Sequence, residues 1–212
     1  MAIKKQWSVM APIFFINKMR WEINEKDKQF LLKLARESIK YFLDHHEVLK
    51  INDDELKNFS SLLHQKMACF VTLSINQELR GCVGCLEPLQ PLYQAVIENA
   101  INAAFFDYRF LPLSSKELEM IEIEISILSP LKLLDYKNCR QLLNLLKPLK
   151  HGVLIRKGNH QATYLPQVWQ QIPAKQDFLN SLCLKAGLPA ESWKKEKIEV
   201  KIYQVENFKE GE

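Results

Sequence analysis

Leu79-Arg80-Gly81-Cys82-Val83-Gly84-Cys85 is the stretch of this chain whose residue types and spacing can do chemistry. Two glycines lie inside what reads as a strand, where they weaken packing and mark close approach by a backbone or a ligand. In a regular strand side chains alternate. Arg80 and Cys82 then share one face with Gly84 beside them, and Leu79, Val83 and Cys85 share the other. Two residues along a strand is about 6.6 Å, near enough for a guanidinium to favour thiolate over thiol. On this reading Cys82 is a nucleophile or a ligand contact, with Arg80 as its electrostatic partner. The competing reading makes Cys82 a small core residue, as most free cysteines are. The Cys82–Cys85 spacing is no disulfide signal. Their Cα atoms fall about 10 Å apart on a strand, and a disulfide needs less than about 7 Å.

Other residues offer supporting roles. Asp107 and Arg109 form either an internal ion pair that shapes their loop or an anion clamp, because a guanidinium fork suits carboxylate or phosphate. His151, just before Gly152, is either a turn residue or a cleft acid or base. Tyr164 and Gln167 flank Leu165-Pro166, where they line a cleft or simply pack. The candidates are therefore Cys82 and Arg80 for catalysis, and Gly81, Gly84, Asp107, Arg109, His151, Tyr164 and Gln167 for binding a small anionic substrate. No metal site is expected, since a zinc site needs a second close pair and Cys139 and Cys183 are solitary. No cofactor is expected either.

Several functions are excluded by inspection. The six glycines form neither a dinucleotide fingerprint nor a phosphate-binding P-loop, and no G-x-S-x-G elbow exists. Net charge is +4, and Lys194, Lys195 and Lys197 interleave with Glu191, Glu196 and Glu199. That pattern describes a solvated mixed-charge surface and no nucleic-acid partner. Five cysteines, an odd number, suit a reduced, cytoplasmic setting. Lys4 and Lys5 precede an apolar run from Val9 to Ile16. The run contains Pro12, lacks a cleavage site and is far shorter than the ~20 residues of a membrane span. Residues 1–20 read as a flexible leader, residues 21–212 as a single domain with two lobes, and no membrane partner is expected.

The elements that must hold these residues follow from periodicity. Asn24 and Asp27 open a helix whose apolar face runs from Phe30 to Phe42 and ends near His45. Met67 to Ile75 alternates as a strand, Asn76-Gln77 turns, and Leu79 to Leu86 returns. Pro91 starts a second helix, and Ser114 with Glu117 forms a capping box. Ile121 to Ile127 is the clearest half-buried strand, with Glu122 and Glu124 on a solvated edge. A leucine-rich helix over 138–147 follows, then a hairpin around Lys157-Gly158-Asn159 and a helix from Phe178 stopped at Gly187. Ile198 to Ile202 closes with a strand. Hairpins mixed with helices predict an α+β fold with antiparallel sheets, not a doubly wound parallel one.

Leu79-Arg80-Gly81-Cys82-Val83-Gly84 resembles the LRGCIG signature of the AMMECR-one domain family, whose bacterial members are called AmmeMemoRadiSam system protein A. Asp107-Tyr108-Arg109-Phe110 with Pro112-Leu113 is similar to the family's DPRFPPL segment. Ile123-Glu124-Ile125-Ser126-Ile127-Leu128-Ser129-Pro130 is similar to EVSVLSP, and Ala162-Thr163-Tyr164-Leu165-Pro166-Gln167-Val168-Trp169 to ATFLPQVW. The likeness runs in order from about Asn24 to Phe208. It departs at Tyr108, where proline is usual, and at Cys85, where a small or polar residue is expected. The resemblance implies a two-lobed fold with the signature strand facing a cleft between the lobes. It also implies two partners, a Memo-like protein and a radical S-adenosylmethionine protein. Position 78 is Glu, so the C-x-x-x-C-x-x-C triplet of radical chemistry is absent from this chain, and metal chemistry falls to the partners. The expected function is a thiol-dependent enzyme or substrate-handling subunit. The alternative is a non-catalytic binding or adaptor module.

Overall fold

The computed structural model describes residues 21–211; the expected leader over residues 1–20 lies outside the described residues. Helix α1, Glu25–His45, is capped by the Asn24 side chain, which accepts the Asp27 N–H at 2.9 Å. Its apolar face buries Leu31, Leu34, Ala35 and Ile39. It stops at His46, which takes the left-handed conformation with φ 58°. A short helix α2 (Asp53–Leu56) and a single tight turn at Ser61–His64 lead into strand β1, Ala68–Ile75. Asn76 and Gln77, with φ of 51° and 68°, make the tight turn into β2, Glu78–Gly84. Helix α3 (Leu92–Phe105), helix α4 (Ser115–Leu118) and strand β3 (Glu122–Leu128) complete this part of the chain.

The second lobe begins with β4 (Lys132–Leu133) and α5 (Cys139–Leu145), then the hairpin β5 (Gly152–Lys157) and β6 (His160–Tyr164). Helices α6 (Val168–Gln171), α7 (Lys175–Lys185) and α8 (Ser192–Lys195) precede β7 (Glu199–Tyr203) and β8 (Val205–Lys209). Two four-stranded antiparallel sheets result, ordered β2-β1-β3-β8 and β4-β7-β5-β6. The fold is α+β, with helices flanking both sheets.

Each sheet buries one face against its own helices. Val71, Leu73, Ile123 and Ile125 pack on α1 and α3, and Val153, Ile155 and Val200 pack with Trp169, Phe178 and Leu182. A third, smaller cluster of Ala68, Leu128 and Tyr203, joined by Phe70 and Leu165, draws on both sheets. The chain crosses between lobes twice, at Ser129 and at Gln204. The crossings are stapled: Ser129 N–H donates to the Gln204 carbonyl and Gln204 N–H to Ser129 Oγ, both at 2.9 Å.

Two expectations change. The Ile121–Ile127 strand is interior, because β8 returns after 204 and pairs beside it. Glu122 accordingly meets Lys209 of β8 at 3.3 Å. The strand expected over 198–202 forms as β7 but does not close the chain, because a further strand, β8, follows Gln204 in the other sheet. Periodicity registers the apolar positions of a strand but not which sheet receives it.

Candidate functional site

The β1–β2 register decides where the signature side chains go. Thr72 pairs with Cys82 and Leu73 with Gly81, but Ser74 pairs with Leu79. Arg80 is the extra residue of a bulge, which interrupts period-two alternation. Its guanidinium leaves toward α4. Nε donates to Glu117 at 2.8 Å, Nη2 reaches the Leu111 carbonyl at 2.8 Å, and the group lies over the Phe110 ring. Cys82 stays with Thr72, whose hydroxyl donates to the Cys82 sulfur at 3.3 Å. Arg80 is thus bonded to Glu117 and Leu111 and Cys82 to Thr72, while Arg80 and Arg109 both lie over the Phe110 ring.

Gly81 lets α3 touch the strand. A Cβ there would lie 2.1 Å from the Ala103 carbonyl oxygen. This close approach delivers the loop after α3 to the free edge of β2. Edge strands leave outward peptide groups unpaired. Here the Asp107 carboxylate accepts the Cys82 N–H at 2.9 Å, and Arg109 Nη2 donates to the Cys82 carbonyl at 3.2 Å. Asp107 and Arg109 also bond each other, at 2.9 Å through Nε and 2.6 Å through Nη2.

The Asp107 carboxyl is buried. Pairing with Arg109 outweighs that burial and holds it far below the usual carboxylate range. The same pairing raises the Arg109 guanidinium, and the nearby Cys82 adds to it. Of the two roles left open for Arg109, the ion pair forms. Its Nη1 still makes no hydrogen bond among the described residues, and the side chain is 41% exposed. Donors therefore remain for an anion.

Cys82 differs from the other four cysteines. Burial pushes the Cys69 thiol up to about 12 and also raises Cys183. Cys85 and Cys139 are exposed. Cys82 alone is half-buried, and both its backbone polar groups are capped by side chains.

The remaining candidates lie elsewhere. Gly84 is filled rather than open, since a Cβ would sit 2.4 Å from the Phe70 ring. His151 precedes β5 in the second lobe; its Nδ1 accepts the Lys147 N–H at 3.2 Å and its carbonyl accepts Trp169 Nε1 at 2.7 Å. Tyr164 packs on Phe178 and bonds Ser181 at 2.9 Å. Gln167 lines a cavity of about 370 Å³ with Pro166, Gln204 and Asn207. Thus Cys82, Asp107 and Arg109 form one connected unit over Gly81, and His151, Tyr164 and Gln167 do not join it. The sequence reading missed Thr72 and Gly152. Thr72 was legible as the polar position of an alternating strand. Gly152 faces Tyr203 across the β5–β7 pair, with the tyrosine ring where its Cβ would be.

Acid should loosen this unit. The Arg80 bond, helped by Ser114, lowers the Glu117 carboxyl to about 2, and Asp107 is lowered further. Both groups bind protons more readily in the unfolded chain, where such carboxyls titrate near about 4. Their stabilisation is thus complete above that pH and disappears as pH falls through the folded values. Hydrogen exchange in residues 106–113 is expected to accelerate between about pH 4 and pH 2 beyond its intrinsic trend, and Glu117→Gln should remove part of that pH dependence. A profile identical in the variant would refute the assignment.

Comparison with known proteins covers most of the chain. A family model described as AMMECR1 matches residues 32–208. Protein MK0488 of Methanopyrus kandleri is 36% identical over 195 residues, covering 88% of this chain and 90% of that protein. Protein NEQ441 of Nanoarchaeum equitans is 35% identical over 188 residues, covering 85% and 98%. The crystal structure of uncharacterized protein PH0010 from Pyrococcus horikoshii superposes with a TM-score of 0.78 at 31% identity, covering 89% of this chain and 94% of that one. The shared fold, the matched span from α1 to β8 and these near full-length relatives place the chain in the AMMECR1 family.

Proposed function

We propose that the chain handles a small anionic substrate at Cys82, as a thiol-dependent enzyme or as the substrate-handling subunit of one. The observation that carries this reading is the clamped half-buried thiol. Thr72 supplies a donor to negative charge on sulfur, Asp107 and Arg109 immobilise the Cys82 peptide groups, and Arg109 keeps free donors beside it. Arg109 rather than Arg80 is the cation next to the sulfur. Arg80 positions the loop through Glu117 and Leu111. In this reading residues 21–212 act as one domain, and His151, Tyr164 and Gln167, which lie in the second lobe, take no part in the Cys82 site. A Memo-like protein and a radical S-adenosylmethionine protein supply the metal chemistry, in a cytoplasmic setting that keeps the five cysteines reduced. Among the described residues no helix is long and apolar enough to cross a membrane.

Site-resolved alkylation of the full chain with iodoacetamide at neutral pH tests the thiol. Cys82 is expected to react faster than the more exposed Cys85 and Cys139, and Arg109→Gln should slow it about tenfold by removing one favourable charge interaction. Reaction of Cys82 no faster than Cys139 would reject the activated thiol.

That outcome would favour the adaptor reading, which has its own observation. Phe106, Tyr108 and Leu111 are exposed on the loop clamped to β2, with Tyr108 96% exposed. A rigid aromatic patch beside a half-exposed arginine has the composition of a protein-binding hot spot.

A further inference from the structure

Two cavities meet where the chain crosses between lobes. One holds about 260 Å³ and is mostly apolar, with Leu62, Met67, Leu86, Leu128 and Leu131 in its wall. The other holds about 180 Å³ and is lined by His151, Lys132, Tyr203 and Gln204. Trp21, Ser129 and Pro130 belong to both walls, so the two spaces are neighbours.

The polar cavity carries an unanswered positive charge. His151 is 7% exposed. Its Nδ1 is occupied by the Lys147 N–H, which leaves Nε2 as the free ring nitrogen, without a hydrogen bond among the described residues. In the neutral ring that tautomer puts a proton on Nε2, making it a donor. Burial first, and then the charges of Lys147, Lys150 and Lys132, disfavour protonation of this imidazole. Of the three, Lys132 lines the cavity, and it takes part in no ion pair among the described residues. His151 and the Lys132 ammonium share this cavity's wall, and a ring N–H donor beside a cation without a counterion suits an anion.

We propose that this junction binds an amphipathic anion, its carboxylate or phosphate head against His151 and Lys132 and its unbranched apolar chain in the cavity walled by Met67 and Leu128. A small inorganic anion would leave the apolar space unfilled. A neutral apolar molecule would leave Lys132 without a partner. Only a ligand with both parts answers both walls. The site is independent of Cys82 and of the reading built on it.

Titration of the full chain with decanoate, followed by calorimetry, tests this. Saturable binding of one decanoate per chain is expected, with hexanoate weaker. Each buried methylene is worth roughly a fourfold change in affinity until the cavity is full. Decanol and inorganic phosphate should each bind at least about tenfold more weakly than decanoate, a difference of about 1.4 kcal/mol. Lys132→Gln alters an exposed side chain that makes no hydrogen bond or ion pair among the described residues, so folding should be preserved while decanoate affinity falls severalfold. Decyl phosphate in place of decanoate distinguishes the two head groups, and tight binding of either supports the site. Absence of saturable binding, or decanol binding as tightly as decanoate with no effect of Lys132→Gln, would overturn it.

Discussion

Gly81→Ala is expected to lower stability by about 3 kcal/mol, at the upper end of what overpacking costs. The added Cβ would stand 2.1 Å from the Ala103 carbonyl oxygen, a backbone atom that cannot rotate aside. Either α3 shifts away from β2 or the strand moves, and both separate surfaces that bury Leu73, Val96 and Ala100. With a urea slope of about 2 kcal/mol/M, the unfolding midpoint should drop by about 1.5 M. Gly158→Ala is the control. Gly158 has φ +56° but nothing within 4 Å, so its cost is backbone strain alone, about 1 kcal/mol. Equal midpoints for the two variants would show that contact between α3 and β2 does not constrain this strand.

Asp107→Ala should act on the same strand from its free edge. The buried carboxylate receives four donors: the N–H groups of Cys82 and Arg109, and Nε and Nη2 of Arg109. Its removal strands the Cys82 N–H and leaves a guanidinium without its partner. Loss of one member of a fully buried pair costs about 3–5 kcal/mol. Because Arg109 reaches water on its outer side, a value of about 2–3 kcal/mol is expected here. Amide exchange supplies the local test. The Cys82 amide should lose most of its protection in Asp107→Ala, while Val71 and Ile125, central in the sheet and buried, change only with global stability. Asp107→Asn keeps an accepting oxygen and should fall between the two. A Cys82 amide that exchanges unchanged in Asp107→Ala would remove the edge-capping role, and with it the basis for a pre-arranged thiol.

Local chemistry was readable where neighbours in sequence are neighbours in space. Asn24 caps α1 because its side chain reaches only three residues ahead. Ser114 and Glu117 close their capping box for the same reason. Asn76-Gln77 turns β1 into β2, and the alternation of Ile121 to Ile127 marked a strand whose core face is set by period two. The signature segment, the Asp107–Arg109 pair and the α+β class all came from residues a few positions apart.

Register and long-range return were decided only in three dimensions. A bulge is a property of two strands together, so no periodicity in β2 alone could show that Arg80 would join Glu117 while Cys82 stayed with Thr72. Sheet neighbours separated by about eighty residues, such as Ile125 and Phe208, are chosen by packing rather than by propensity. The sequence by itself therefore determined the local elements, their caps and turns, and the segment that marks the family. Tertiary pairing decided which cation stands beside the sulfur and which charges gather around His151, because those depend on contacts that the chain makes only after it has folded back on itself.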